Sequence, residues 1–103
     1  MSNWIEVGKL DEIPTLGSRI VKTAEFDIAV FRTSSDDVFA VKDVCPHRQG
    51  KLSQGIVHGK KVTCPLHNWN INLESGEALD PDVGCTNVYM AKVEEGLVSI
   101  ELT

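Results

Sequence analysis

Apolar and polar residues alternate in short runs along this chain, and turn-forming residues separate the runs. Phe26-Asp27-Ile28-Ala29-Val30-Phe31-Arg32 and Val38-Phe39-Ala40-Val41-Lys42-Asp43-Val44 are rich in β-branched and aromatic residues, as strands are. The polar cluster Thr33-Ser34-Ser35-Asp36-Asp37 between them predicts a hairpin. Tyr89-Met90-Ala91-Lys92-Val93 and Leu97-Val98-Ser99-Ile100-Glu101 flank Glu94-Glu95-Gly96, a second hairpin in which Gly96 can take a positive φ. Ile56-Val57 and Lys61-Val62-Thr63 around His58-Gly59-Lys60 predict a third. Trp4 to Val7 and Arg19 to Lys22 read as further strands, and Leu10-Asp11-Glu12-Ile13 as one helical turn before Pro14. No apolar pattern of helical period is sustained. Many short strands with frequent turns predict an all-β sandwich or small barrel.

The middle of the chain breaks the alternation. It reads Cys45-Pro46-His47-Arg48-Gln49-Gly50 and, after the third predicted hairpin, Cys64-Pro65-Leu66-His67-Asn68-Trp69. The frame is C-x-H, sixteen residues, then C-x-x-H, and it holds two of the three cysteines and two of the three histidines. Each pair follows a predicted strand, so two loops can face each other. Thiolates bind iron firmly and suit a sulfide-bridged core, and neutral imidazole binds through one ring nitrogen while leaving the other free. One cysteine and one histidine from each loop would let two cysteines hold one iron and two histidines the other. Zinc accepts the same ligand types, but its small modules pair like ligands at short spacings. Isolated buried thiols and loop histidines are the remaining alternative.

Around these residues the chain resembles the Rieske 2Fe–2S family. Within that family it is similar to the small subunits of bacterial assimilatory NAD(P)H nitrite reductases. The likeness is carried by the two cluster motifs at 45–50 and 64–69 and by Asn72-Leu73-Glu74-Ser75-Gly76-Glu77-Ala78. Pro81-Asp82-Val83-Gly84-Cys85-Thr86 and Val93-Glu94-Glu95-Gly96 add to it, and with Trp4 and the strand pattern it spans nearly the whole chain. The cluster motif is specific for Rieske proteins; the flanking motifs are shared in large part with ferredoxins of ring-hydroxylating oxygenases. The resemblance implies one domain over 1–103, a Rieske-type antiparallel β-sandwich with a small cluster-binding subdomain at roughly 44–81. It implies a 2Fe–2S cluster on Cys45, His47, Cys64 and His67, and one-electron transfer as the activity.

By the same resemblance the partner is a large nitrite reductase subunit. That subunit holds flavin, a 4Fe–4S cluster and sirohaem and reduces nitrite to ammonia with electrons from NAD(P)H. No substrate-transforming site is then expected in this chain. The alternative is a ferredoxin that passes electrons from a reductase to a ring-hydroxylating oxygenase. A third reading, an interaction module whose metal site is structural or empty, predicts a colourless, iron-free, folded protein. Rieske proteins of cytochrome bc complexes carry a disulfide between the cluster loops; Gly50 and Leu66 stand at the matching positions, so no such bridge can form. Asn68 follows His67 where a serine would donate to a sulfide, which places the potential at the low end of the Rieske range. Lys51 stands where the family often has proline.

Composition narrows the remaining classes. The 103 residues carry a net charge of −5 and show no basic stripe, which argues against nucleic-acid and anionic-membrane partners. The N-terminus lacks a basic region followed by an apolar stretch, and no run is long enough to cross a bilayer, so a cytoplasmic location is expected. Cys85 reads as a small buried hydrophobe, His58 as a solvated turn residue and Trp69 as packing beneath the second loop. Pro81 fits either a lid over the cluster or an ordinary turn. Gly50 and Gly76 are assigned to tight turns.

Overall fold

The computed structural model describes residues 4–23, 26–44, 51–64, 69–79 and 84–101. Among the described residues ten strands follow in order: β1 (Trp4–Lys9), β2 (Ser18–Lys22), β3 (Asp27–Arg32), β4 (Val38–Lys42), β5 (Ile56–His58), β6 (Lys61–Thr63), β7 (Asn70–Asn72), β8 (Val88–Tyr89), β9 (Ala91–Glu94) and β10 (Leu97–Glu101). Single 3-10 turns occupy Leu10–Glu12 and Leu52–Gln54. Strands β1, β10 and β9 form one sheet in that order, β2, β3, β4 and β8 a second, and β5, β6 and β7 a third; every pairing is antiparallel.

The second sheet is the middle layer, and its sequence explains why. Ile28, Ala29, Val30 and Phe31 of β3 are all buried, an unbroken apolar run that only a strand covered on both faces requires. Ile28 and Val30 point to one core with Ala40, Ile13, Val98 and Ile100, which joins the middle sheet to the β1–β10–β9 sheet. Ala29 and Phe31 point the other way, to a second core with Val41, Leu52, Val57, Val62, Cys64, Ile71 and Leu73, which backs the β5–β6–β7 sheet. The molecule is thus an antiparallel β-sandwich with the small three-stranded sheet laid on its outer side.

The three expected hairpins form. β3 and β4 pair from Ile28↔Lys42 to Arg32↔Val38, β5 and β6 from Ile56↔Thr63 to His58↔Lys61, and β9 and β10 close around Glu95-Gly96. Glu95 and Gly96 both have positive φ, 51° and 79°, as a tight two-residue hairpin demands. One expectation needs correction. Residues 89–93 are not one strand: Tyr89 pairs with Ala40 in the middle sheet, while Ala91 pairs with Ile100 in the outer one. Met90 marks the crossing, and its carbonyl still accepts the Glu101 amide at 2.9 Å. Apolar spacing cannot register a change of pairing partner, so the crossing has no local sign in the sequence.

Candidate metal centre

Residues 45–50 follow β4, 65–68 follow β6 and 80–83 follow β7, and described residues that flank these three connections adjoin one another. Cys45, His47 and His67 lie outside the described residues, as do Gln49, Gly50, Leu66, Asn68 and Pro81. Cys64 and the necks of all three connections are described, and they show how the site is held.

The first neck is closed by a side chain. Asp43, only 4% exposed, accepts the Ser53 amide at 2.7 Å through Oδ1 and the Ser53 hydroxyl at 2.7 Å through Oδ2. The Ser18 hydroxyl donates to the Ser53 carbonyl at 3.0 Å, tying the same turn to β2. Leu52 beside it is fully buried in the core that also holds Cys64.

The second neck is closed by backbone. The Cys64 amide donates to the Trp69 carbonyl at 2.7 Å, and Thr63 pairs with Asn70 just below. Cys64 is fully buried, and Trp69 packs against the same core, as expected of it. A side-chain ladder runs over this sheet. The Thr63 hydroxyl donates to Asn70 Oδ1 at 2.7 Å, and His58 Nε2 lies 2.7 Å from that hydroxyl. The only hydroxyl proton of Thr63 is committed to Asn70, so Nε2 of His58 is the donor in this contact. His58 is therefore an exposed residue at the end of β5 with a defined partner, and the turn itself falls at Gly59-Lys60.

The third neck joins the second. The Leu79 amide donates to the Asn70 carbonyl at 2.8 Å, Ala78 bridges Ile71, and the Ala78 amide reaches the Gly84 carbonyl at 2.8 Å across residues 79–83. Gly76 takes the predicted turn with φ 79°, and a Cβ there would lie 2.2 Å from the Thr86 carbonyl oxygen. Thr86 turns inward and its hydroxyl donates to the Lys42 carbonyl at 3.2 Å, next to the first neck. Cys85, its neighbour, is consequently exposed and pairs with Glu77, contrary to the buried role expected of it; period-two alternation sends adjacent residues to opposite sides. Val44 and Cys85 line one hollow of about 140 Å³, so the first and third necks also adjoin.

Among the described residues no three of histidine, cysteine, aspartate and glutamate come together to hold a metal ion. No described helix is long and apolar enough to cross a membrane.

The family model of the Rieske [2Fe-2S] domain matches residues 3–90. The chain belongs to this family. The cofactor of a Rieske domain is a 2Fe–2S cluster, and the residues present fit one. A soft sulfur donor, Cys64, sits fully buried at the closed neck of one connection. The two Cys/His motifs lie on connections whose necks share a core and adjoin the third. This Rieske domain shares its fold with solved Rieske-type structures. It is 30% identical over 103 residues to the anthranilate 1,2-dioxygenase ferredoxin subunit of Burkholderia cepacia, covering 99% of this chain and 94% of that one. It is 29% identical over 101 residues to the ferredoxin component of naphthalene 1,2-dioxygenase/salicylate 5-hydroxylase systems of a Ralstonia species, with coverages of 97% and 96%. Among solved structures it superposes on one assigned as an NADH-dependent nitrite reductase small subunit from Mycobacterium tuberculosis, with a TM-score of 0.89, 24% identity and coverages of 100% and 97%. The E. coli protein NirD follows with a TM-score of 0.85, 26% identity and coverages of 99% and 98%.

Proposed function

We propose that this Rieske domain is the electron-transfer subunit of a cytoplasmic assimilatory NAD(P)H nitrite reductase, with Cys45 and Cys64 on one iron and His47 and His67 on the other. The cluster supplies one-electron transfer. The polypeptide would supply two thiols and two imidazoles from two segments, keeps water from the buried thiol of Cys64 and ties together the residues that flank those segments. Two neutral imidazoles in place of thiolates make the centre less negative, which raises its potential from about −400 mV for all-cysteine plant-type clusters into the Rieske range of about −150 to +300 mV.

The observation that carries the nitrite reductase reading is the likeness to the E. coli protein NirD over nearly the full length of both chains, at 26% identity and a TM-score of 0.85. Segments 72–78 and 84–86, which carry the resemblance to nitrite reductase small subunits, meet where the Thr86 amide donates to the Gly76 carbonyl. No nitrite site belongs to this chain; the flavin and sirohaem chemistry resides in the large subunit.

A second reading, a ferredoxin serving a ring-hydroxylating oxygenase, is favoured by the identity of 30% to the Burkholderia ferredoxin subunit. Affinity purification of the tagged chain from cells grown on nitrite as sole nitrogen source separates the two. A stable complex with a large polypeptide bearing flavin and sirohaem supports the first reading. A free monomer that reduces a separate oxygenase, together with normal growth of a deletion strain on nitrite, refutes it. Redox titration followed by electron paramagnetic resonance tests the ligands: a Rieske signal with a low midpoint is expected, and iron-free protein would exclude the assignment.

A further inference from the structure

Asp43 is a buried acid with no role in the ligand set, two residues before Cys45. Its strand ends at Lys42, and its own amide is committed to the Asp27 carbonyl at 2.9 Å. Its backbone is thus fixed to the middle sheet. Both carboxylate oxygens are spent on one residue across the connection, Ser53, at 2.7 Å each. Ser53 is fixed in turn by the Ser18 hydroxyl on its carbonyl and by Leu52, its fully buried neighbour. The segment carrying the first Cys/His pair is therefore flanked by two residues, Asp43 and Ser53, that one carboxylate joins.

We propose that Asp43 is a positioning residue for the 2Fe–2S cluster: its carboxylate clamps the neck of segment 44–52 and so sets the geometry in which Cys45 and His47 meet the iron. The inference rests on the ligand reading above. The clamp joins the two residues that flank segment 44–52, so its loss is read at the cluster as well as in stability. Charge-assisted hydrogen bonds to a buried carboxylate are the strong kind, so losing two of them frees Ser53 from Asp43.

The test compares Asp43→Ala, Asp43→Asn and Ser53→Ala in the cluster-loaded protein. Gly96→Ala, a remote hairpin substitution, is the control for stability alone. Three readouts are taken: the paramagnetic line shape of the reduced protein, the rate of iron release to an external chelator, and amide exchange of residues 51–54 in loaded and iron-free protein. Asp43→Ala is expected to broaden the signal, speed iron release on the order of tenfold and raise exchange at 51–54. Asp43→Asn should restore near-native behaviour, since its amide oxygen can accept the Ser53 amide and its nitrogen can donate to the Ser53 hydroxyl. Ser53→Ala, which keeps the amide bond, should fall between them and serves where Asp43→Ala does not fold. Native line shape, iron release and exchange in both Asp43→Ala and Ser53→Ala would overturn the clamp. An Asp43→Asn variant no better than Asp43→Ala would also overturn it. Wild-type protein without a Rieske signal would instead overturn the ligand reading, and the positioning role with it.

Discussion

Gly76→Ala is the substitution whose cost is best defined by the structure. Gly76 has φ 79°, and its carbonyl accepts the Thr86 amide at 2.8 Å. An added Cβ would lie 2.2 Å from the Thr86 carbonyl oxygen and 2.9 Å from Val88 Cγ1, so backbone must move rather than a flexible side chain. Gly96 provides an internal control: it has the same φ of 79°, and nothing lies within 4 Å of its Cβ position. Alanine at Gly96 therefore carries only the cost of left-handed backbone, about 1 kcal/mol. Alanine at Gly76 carries that cost and also displaces Thr86, weakening its amide bond to Gly76 and its hydroxyl bond to Lys42, each worth about 1 kcal/mol. The expected loss is about 3 kcal/mol, against about 1 kcal/mol for Gly96→Ala. In melting temperature this is roughly 12–24 °C against 4–8 °C for a domain of this size. Urea unfolding followed by far-ultraviolet circular dichroism, with unchanged m-values, measures both. Equal losses in the two variants, within about 0.5 kcal/mol, would show that Thr86 does not approach Gly76 as described.

Leu52→Ala should destabilise by about 2–5 kcal/mol, because Leu52 is fully buried among Phe31, Val62 and Cys64, and thermal melts would show it. Cys64→Ser should retain the β-sheet dichroism yet lose the iron and visible absorbance of the Rieske cluster; a variant that keeps the full signal would remove Cys64 from the ligand set. Burial raises the Tyr89 phenol above its ordinary pKa of 10.0, against the opposing hydrogen bond with Asn87. Folding thus favours the neutral phenol, so its contribution is complete below pH 10.0 and is lost as pH rises through the higher folded value. Denaturant unfolding of Tyr89→Phe across the alkaline range should therefore show a shallower decline than wild type, and parallel declines would contradict the burial.

The parts of the fold written in the sequence are those whose pairing is local. The β3–β4 hairpin is announced by two apolar runs around Thr33–Asp37, and the β9–β10 turn by Glu95-Gly96. β7 was not expected, because Asn70-Ile71-Asn72 offers one apolar side chain and its partner is chosen by Cys64–Trp69 closure. The turn at Leu52–Gln54 was equally silent, since its geometry is imposed by Asp43 and Ser18 from distant strands. The same division runs through the site. Cysteine and histidine spacing points to the Rieske family, whose model matches residues 3–90, because a metal-ligand pattern is written in residue type and spacing. Asp43 reads as a strand tail, and His58 as a turn residue, because their partners lie ten and five residues away.

The two cores described above also differ in when they can be completed. The core behind Cys64 draws its buried members, among the described residues, from Ala29 to Leu73, so all of them are synthesised before the last two strands. The other core needs Val98 and Ile100, and among the described residues β1 pairs with β10 alone. The core behind Cys64 can therefore organise itself first, and β1, the first described strand, waits longest for its neighbour. Pulse-labelled exchange during refolding should find Val57, Val62 and Ile71 protected ahead of Ile5 and Val98. The side of the molecule behind Cys64 would then be ordered before the opposite side is sealed.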